Sequence, residues 1–231
     1  MRKIVNTNIY RSYIFHGRLG NICYQLCHLM NFIDKNHQKL EKLVLDLNYS
    51  DVSPYHTTSQ YVIRDNLPFF NYFSNNLRDD FDLIKNKLIY YKAYYEPLVV
   101  KPEYAYKIFY NKELYSPIIE KYPDISNYIS IHIRRTDFFN YCPRCIAKKD
   151  TVKKIIDKYP KVMIFSDDMD YCAKNFTDSN VSLIHNKEEY NDIIMMSLTS
   201  KIYNLSYSTF SNFAIKLKDG IEQSQTKLNK Q

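Results

Sequence analysis

Only three of the 231 residues are glycine, at positions 17, 20 and 220, and none is tryptophan. So little glycine excludes collagen-like and Gly-rich linker architectures. It also leaves few places where the backbone can approach a neighbour or a ligand closely, so each glycine can be read individually. Long apolar runs are missing too. No stretch reaches the about 18 apolar residues that a spanning helix needs. The opening segment MRKIVNTNIYRSYIF is interrupted by Asn and Arg and lacks the continuous apolar core of a secretory leader. A soluble cytoplasmic protein without a membrane anchor is expected. Cysteine is scarce and odd in number, at five, which argues against a disulfide scaffold. Cys23 and Cys27 lie in an apolar helical stretch and are expected in a core. Cys142 and Cys145 form CPRC, but no second ligand pair follows at zinc spacing. A structural or incidental pair is expected, with redox chemistry the lesser alternative.

What is present is a globular composition, 45% hydrophobic and 25% charged, with 23 Tyr and 13 Phe. The formal net charge of +7 invites an anionic partner. The positive charge is scattered, however. Its densest run, Lys148-Lys149 with Lys153-Lys154, has helical spacing and reads as a solvated helix face. The aromatics form no recognisable base-stacking motif, so nucleic acid is not the expected partner.

The second half alternates strand and helix patterns. Strands are expected at 128–133, 161–167, 181–185 and 201–206. Helices are expected at 148–160 (ended by Pro160), 168–176, 187–200, and from a capping Ser208 to a stop at Gly220. That order implies a parallel sheet with helices on both faces. In the first half, strands are expected at 12–15 and 42–47 and an amphipathic helix at 21–33. A boundary is placed near 124, dividing 1–124 from 125–231, and the last residues are expected to fray.

Ligands of open parallel sheets bind beyond the carboxyl ends of the strands, and polar residues recur there. His16-Gly17-Arg18-Leu19-Gly20-Asn21 follows the first strand, with glycines that permit a tight turn and side chains that donate to oxygens. Without a ligand, the same glycines make a plain turn. Arg134, Arg135, Thr136 and Asp137 follow YISIHI. One arginine can grip a diphosphate while the other pairs elsewhere, Asp137 being the near partner. Asp167 and Asp168 follow KVMIFS and either cap a helix or accept from a guanine. Tyr207, Ser208 and Thr209 follow KIYNLS, where a helix N-terminus favours anions.

GRLGN, HIRRTD, FSDD and NDIIMMSLTSKIYNLSYSTFSNF, in that order, resemble the α-1,2-fucosyltransferases and their nodulation and protein O-fucosyltransferase relatives. Asn212-Phe213 stand where that family carries Trp-Trp. The resemblance implies an α/β, GT-B-like fold of two Rossmann-like halves facing a cleft. Residues 1–124 would form the acceptor side and residues 125–231 the donor side. It further implies transfer of fucose from GDP-fucose to a sugar hydroxyl, O-2 of a galactoside, with inversion. His132 would approach the guanine or ribose and Arg134 and Arg135 the diphosphate. Asp167 or Asp168 would accept from guanine, and Ser208 and Thr209 would meet phosphate. Gly17, Arg18, Gly20 and Asn21 would reach across the cleft.

Arg135 is favoured as the arginine on the diphosphate, with Asn21 and Asp137 as further catalytic candidates. No cofactor and no metal are expected, because arginines and a helix N-terminus can neutralise a leaving diphosphate. Two alternatives stay open: a GT-B transferase using another nucleotide sugar, and a non-catalytic nucleotide- or glycan-binding relative. The sequence does not specify acceptor or oligomeric state.

Overall fold

In the computed structural model, the structure describes residues 9–13, 19–21, 23–24, 27, 42–46, 100–110, 112–186 and 189–228. Strand β1 (Ile9–Tyr13) pairs in parallel with β2 (Lys42–Asp46). Residues 19–21, 23–24 and 27 are helical. Helices α1 (Pro102–Phe109) and α2 (Lys112–Lys121) precede β3 (Ile129–Ile133). A short helix α3 (Phe138–Tyr141), then α4 (Lys149–Ile156), lead to β4 (Val162–Ser166). Next come α5 (Met169–Asn175), β5 (Val181–Ile184), α6 (Glu189–Leu198), β6 (Lys201–Asn204) and α7 (Thr209–Leu228). Strands β5-β4-β3-β6 form one sheet in that order, every pair parallel. The α/β class with helices on both faces of a parallel sheet is as the sequence implies.

Strand alternation divides the core between the two faces. Val162 and Ile164 join Ile129, Ile131, Ile133 and α4's Val152, Ile155 and Ile156 on one side. Met163 and Phe165 join α6, α7 and α1 on the other. On that second face β3 presents Ser130 and His132, both buried. Each is satisfied by a helix-side hydroxyl. Ser130 Oγ meets Thr199 Oγ1 at 2.9 Å, and His132 Nδ1 meets Ser211 Oγ at 3.1 Å. A buried polar group without such a partner would cost about 1–3 kcal/mol.

Helix α7 corrects the expected stop at Gly220. It runs on to Leu228, through residues expected to fray. Glycine is required there by packing rather than by capping. A Cβ at Gly220 would lie 2.9 Å from the Tyr106 Cβ and 3.0 Å from the Pro102 carbonyl carbon. The missing side chain lets α1 seat its backbone against α7, with Phe109 and Phe213 rings 5.0 Å apart. The local cost of glycine in a helix, about 1 kcal/mol, is offset by that approach.

Smaller corrections concern boundaries. β1 lies at 9–13 rather than 12–15, the first helical segment begins by Leu19, and α4 ends at Ile156, short of Pro160. Cys23 and Cys27 are in the core, and burial pushes both thiols up. Cys142 and Cys145 are joined as a disulfide, with Cα atoms 5.3 Å apart.

Candidate functional site

A cleft of about 510 Å³ opens at the carboxyl ends of the sheet strands, a volume within the range of small-molecule sites. His132 and Arg134 contribute from β3 and its exit, Ser166 to Asp170 from β4 and its exit, and Ile184 to Asn186 from β5. Glu189 and Asp192 enter from α6, Ser208 to Phe210 from the start of α7, and Gly20 from the first helical segment.

Gly20 is held against the first turn of α7. A Cβ there would lie 2.6 Å from the Phe210 Cα and 2.8 Å from the Thr209 carbonyl carbon. Beside it, Thr209 Oγ1 donates to Asn21 Oδ1 at 2.7 Å. Leu19 and Cys23, on the same segment, share the core with Phe213 and Leu217. The scarce glycine therefore permits close approach of two chain segments that are far apart in sequence. Gly17 and Arg18 lie outside the described residues.

Strand β3 ends at Ile133, so strand alternation does not extend to the two arginines. Arg134 is the one in the cleft wall. Its Nε donates to Asp137 Oδ1 at 2.9 Å, its Nη2 pairs with Asp137 Oδ2, and its guanidinium lies 4.7 Å from the Phe138 ring centroid. Its backbone N–H donates to the buried Ser206 Oγ at 3.2 Å. A guanidinium carries more N–H donors than one carboxylate can take, so Asp137 orients the fork without exhausting it.

Arg135, expected to face the cleft, is instead built into the structure. Its guanidinium lies 3.4 Å from the Tyr171 ring centroid and 4.9 Å from that of Phe139, and its Nε donates to Asp168 at 3.1 Å.

Asp167 and Asp168 are committed in the same way. Asp167 accepts from the Arg135 backbone N–H at 2.8 Å and from Thr136 Oγ1 at 2.7 Å. Asp168 caps α5, accepting from the Tyr171 N–H at 3.1 Å, besides pairing with Arg135. Both line the cleft, where Asp167 holds the Arg135–Thr136 turn and Asp168 holds the start of α5 and the Arg135 side chain.

Asp192 is the carboxylate that the sequence reading passed over. It stands in the first turn of α6 and accepts from Asn186 Nδ2 at 2.6 Å. Desolvation raises its carboxyl from an ordinary value to about 7, Glu189 adds to the rise, and the Asn186 bond opposes it. The signal was an acidic residue in the first turn of an otherwise apolar helix, within NDIIMM.

At the opposite end of the sheet, Asn204 shapes the loop into α7. Its Oδ1 accepts from the Ser208 N–H and its Nδ2 donates to Ser208 O, both at 3.1 Å, and to Asn212 Oδ1 at 2.8 Å. Ser208 caps the helix as expected, its Oγ accepting from the Phe210 N–H at 3.3 Å. The cleft thus has a cationic side chain and a helix N-terminus at the β3–β6 end and a desolvated carboxyl on α6. Among the described residues, no group of three or more His, Cys, Asp or Glu could hold a metal ion. Nor is any described helix long and apolar enough to cross a membrane.

Residues 112–226 match glycosyl transferase family 11. No curated protein sequence matches the chain. Solved structures do. POFUT1 in its apo form aligns with TM-score 0.56 at 11% identity, covering 96% of this chain and 98% of that one. POFUT1 in complex with GDP-fucose aligns with TM-score 0.53 at 10% identity, covering 90% and 93%. At such identity the likeness establishes the fold, which is GT-B-like as the resemblance implied. The family match agrees with the fucosyltransferase resemblance read from the four sequence blocks.

Proposed function

We propose that this chain, whose residues 112–226 are a glycosyl transferase family 11 domain, transfers fucose from GDP-fucose to a glycan hydroxyl with inversion. The observation that supports it is the polarity of the cleft. Arg134 and the first turn of α7 lie in its wall together with Asp192. A guanidinium and helix-terminal N–H groups suit a diphosphate. A carboxylate suits the adjacent N1–H and N2–H donors of guanine. GDP offers both patterns in one molecule, and POFUT1 binds GDP-fucose in the same fold.

In this reading Asp192, steered by Asn186, takes the guanine edge, and His132, held by Ser211 and tilted against the Phe210 ring at 5.2 Å, borders the nucleoside. Arg134 meets the diphosphate, with Asp137 fixing its fork. As the glycosidic bond breaks, negative charge grows on the departing diphosphate. Arg134 and the α7 N-terminus are preorganised to stabilise it. That supplies the positive charge at the leaving group without calling on a metal. O-2 of a galactoside is the proposed acceptor position, reached across the cleft from the side of Asn21.

The test is a melting screen of the whole chain with GDP, GDP-fucose, UDP, ADP and CMP, each with and without EDTA. A ligand that binds only the native state raises its stability by mass action. GDP and GDP-fucose should raise Tm by several degrees irrespective of EDTA. Selective stabilisation by UDP would replace the donor assignment, and loss of the GDP effect in EDTA would overturn metal independence.

A further inference from the structure

The loop between β6 and α7 contains a residue that neither the core nor the nucleotide reading uses. Tyr207 is 82% exposed, the most exposed large hydrophobic side chain among the described residues. Its φ of 50° places it in the left-handed region, and it is the only non-glycine described residue with positive φ. For a bulky L-residue this conformation costs roughly 1–2 kcal/mol, and glycine would adopt it freely.

The surrounding contacts nevertheless fix it. Before it, Ser206 is buried and holds the Arg134 N–H; after it, Ser208 is locked through both backbone groups to Asn204. A strained conformation persists only where neighbours over-determine it, and such residues gather at ligand sites. The location supports the same conclusion. β6 neighbours β3 in the sheet, so Tyr207 leaves the same rim as Arg134, directly before the cleft-lining Ser208. Phe139, 52% exposed, follows from the exit of β3 on that rim.

We infer that Tyr207 is a stacking platform for the acceptor glycan, packing its ring on the C–H face of a pyranose at the β3–β6 end of the cleft. Tyrosine gives a large, stiff, amphipathic contact at low entropic cost. A rigidly presented ring at the rim can orient an incoming sugar towards the donor without burying the nucleotide. This assignment rests on the glycosyl-transfer reading above, which places the diphosphate at Arg134.

The experiment measures binding of GDP-loaded full-length chain to an oligosaccharide array, and GDP affinity and Tm separately, for wild type, Tyr207→Ala, Tyr207→Gly and Tyr207→Phe. Tyr207→Ala and Tyr207→Gly should lose tenfold or more in affinity for the glycans that wild type binds, while GDP affinity stays within twofold. Tyr207→Phe should keep most glycan binding. Tyr207→Gly should not lower Tm, because it relieves the backbone, so its loss of glycan cannot be ascribed to unfolding. Glycan binding by Tyr207→Ala within twofold of wild type overturns the platform. So does a parallel fall in GDP affinity, which would assign the ring to the nucleotide, or a wild type that binds GDP and no glycan. Failure of wild type to bind GDP, by contrast, overturns the donor reading; the array repeated without GDP then decides Tyr207 by the same tenfold and twofold outcomes.

Discussion

Asp167 and Asp192 line the same cleft from different elements, and their surroundings set them apart. Asp167, at the exit of β4, is ringed by donors from the Arg135–Thr136 turn. Asp192, on α6, is desolvated, has Asn186 as a hydrogen-bond partner and feels the repulsion of Glu189. One carboxylate stabilises the fold through the bonds it accepts. The other is held at a cost in the unliganded chain, and a ligand that donates N–H groups to it would relieve that cost. A position in the cleft therefore does not by itself identify a ligand-binding carboxylate; the donors already spent on it decide.

The sharpest test of this contrast is pH. An unfolded Asp192 would ionise near 3.8, whereas the folded one keeps its proton to about 7. Between those values the folded chain binds more protons, so this residue makes stability fall as pH rises, by about 1.4 kcal/mol per unit, and the loss levels off above 7. Asp192→Asn keeps a hydrogen-bonding side chain without the titration. It should raise the Tm of the unliganded chain at pH 7.5, raise it much less at pH 4.5, and weaken GDP binding. Parallel Tm-against-pH curves for the variant and wild type would remove Asp192 from the comparison.

The arginines repeat the contrast one strand over. Arg134→Ala should weaken GDP binding by about one to two decades, the roughly 1.5–3 kcal/mol of a charge-assisted contact, with a small change in Tm. Arg135→Ala should do the reverse, because its guanidinium packs against the Tyr171 and Phe139 rings and is bonded to Asp168. Isothermal titration with GDP and a melting curve for each variant decide the matter. Equal loss of GDP affinity in both would place Arg135 back on the diphosphate.

This inversion marks how far the sequence could be read. Strands β3 to β5 were legible as short runs rich in Ile, Val, Met, Leu and Phe, and β6 (KIYN) by its place between two helical patterns; the family resemblance came largely from their exits. Which arginine lines the cleft was not legible, because alternation ceases at Ile133, where the strand ends. The extent of α7 was hidden by Gly220, whose intrinsic preference is to end a helix; the reason it does not is the backbone of Pro102, more than a hundred residues earlier. Asp167 and Asp168 stand out in the sequence as an adjacent acidic pair, whereas Asp192 is a single acid in the first turn of a helix. Its desolvation comes from burial, which the sequence pattern does not display.

The mildest prediction returns to Asp167. Asp167→Asn retains the size and one acceptor oxygen but removes the charge and replaces the second acceptor with a donor group. The amide oxygen can still accept from the Arg135 N–H, whose present distance is 2.8 Å, while the NH₂ would face the Thr136 hydroxyl that now donates. That hydroxyl can rotate to accept, so the turn should survive with both bonds weakened from charge-assisted to neutral. A loss of about 1 kcal/mol is expected, read as a Tm drop of a few degrees, with GDP affinity reduced less than by Asp192→Asn. Asp167→Ala is the control, since it strands both turn donors and should cost more than the asparagine variant. If Asp167→Asn instead abolishes GDP binding at unchanged Tm, its carboxylate serves the nucleotide, and the division between a structural and a ligand-facing acid fails.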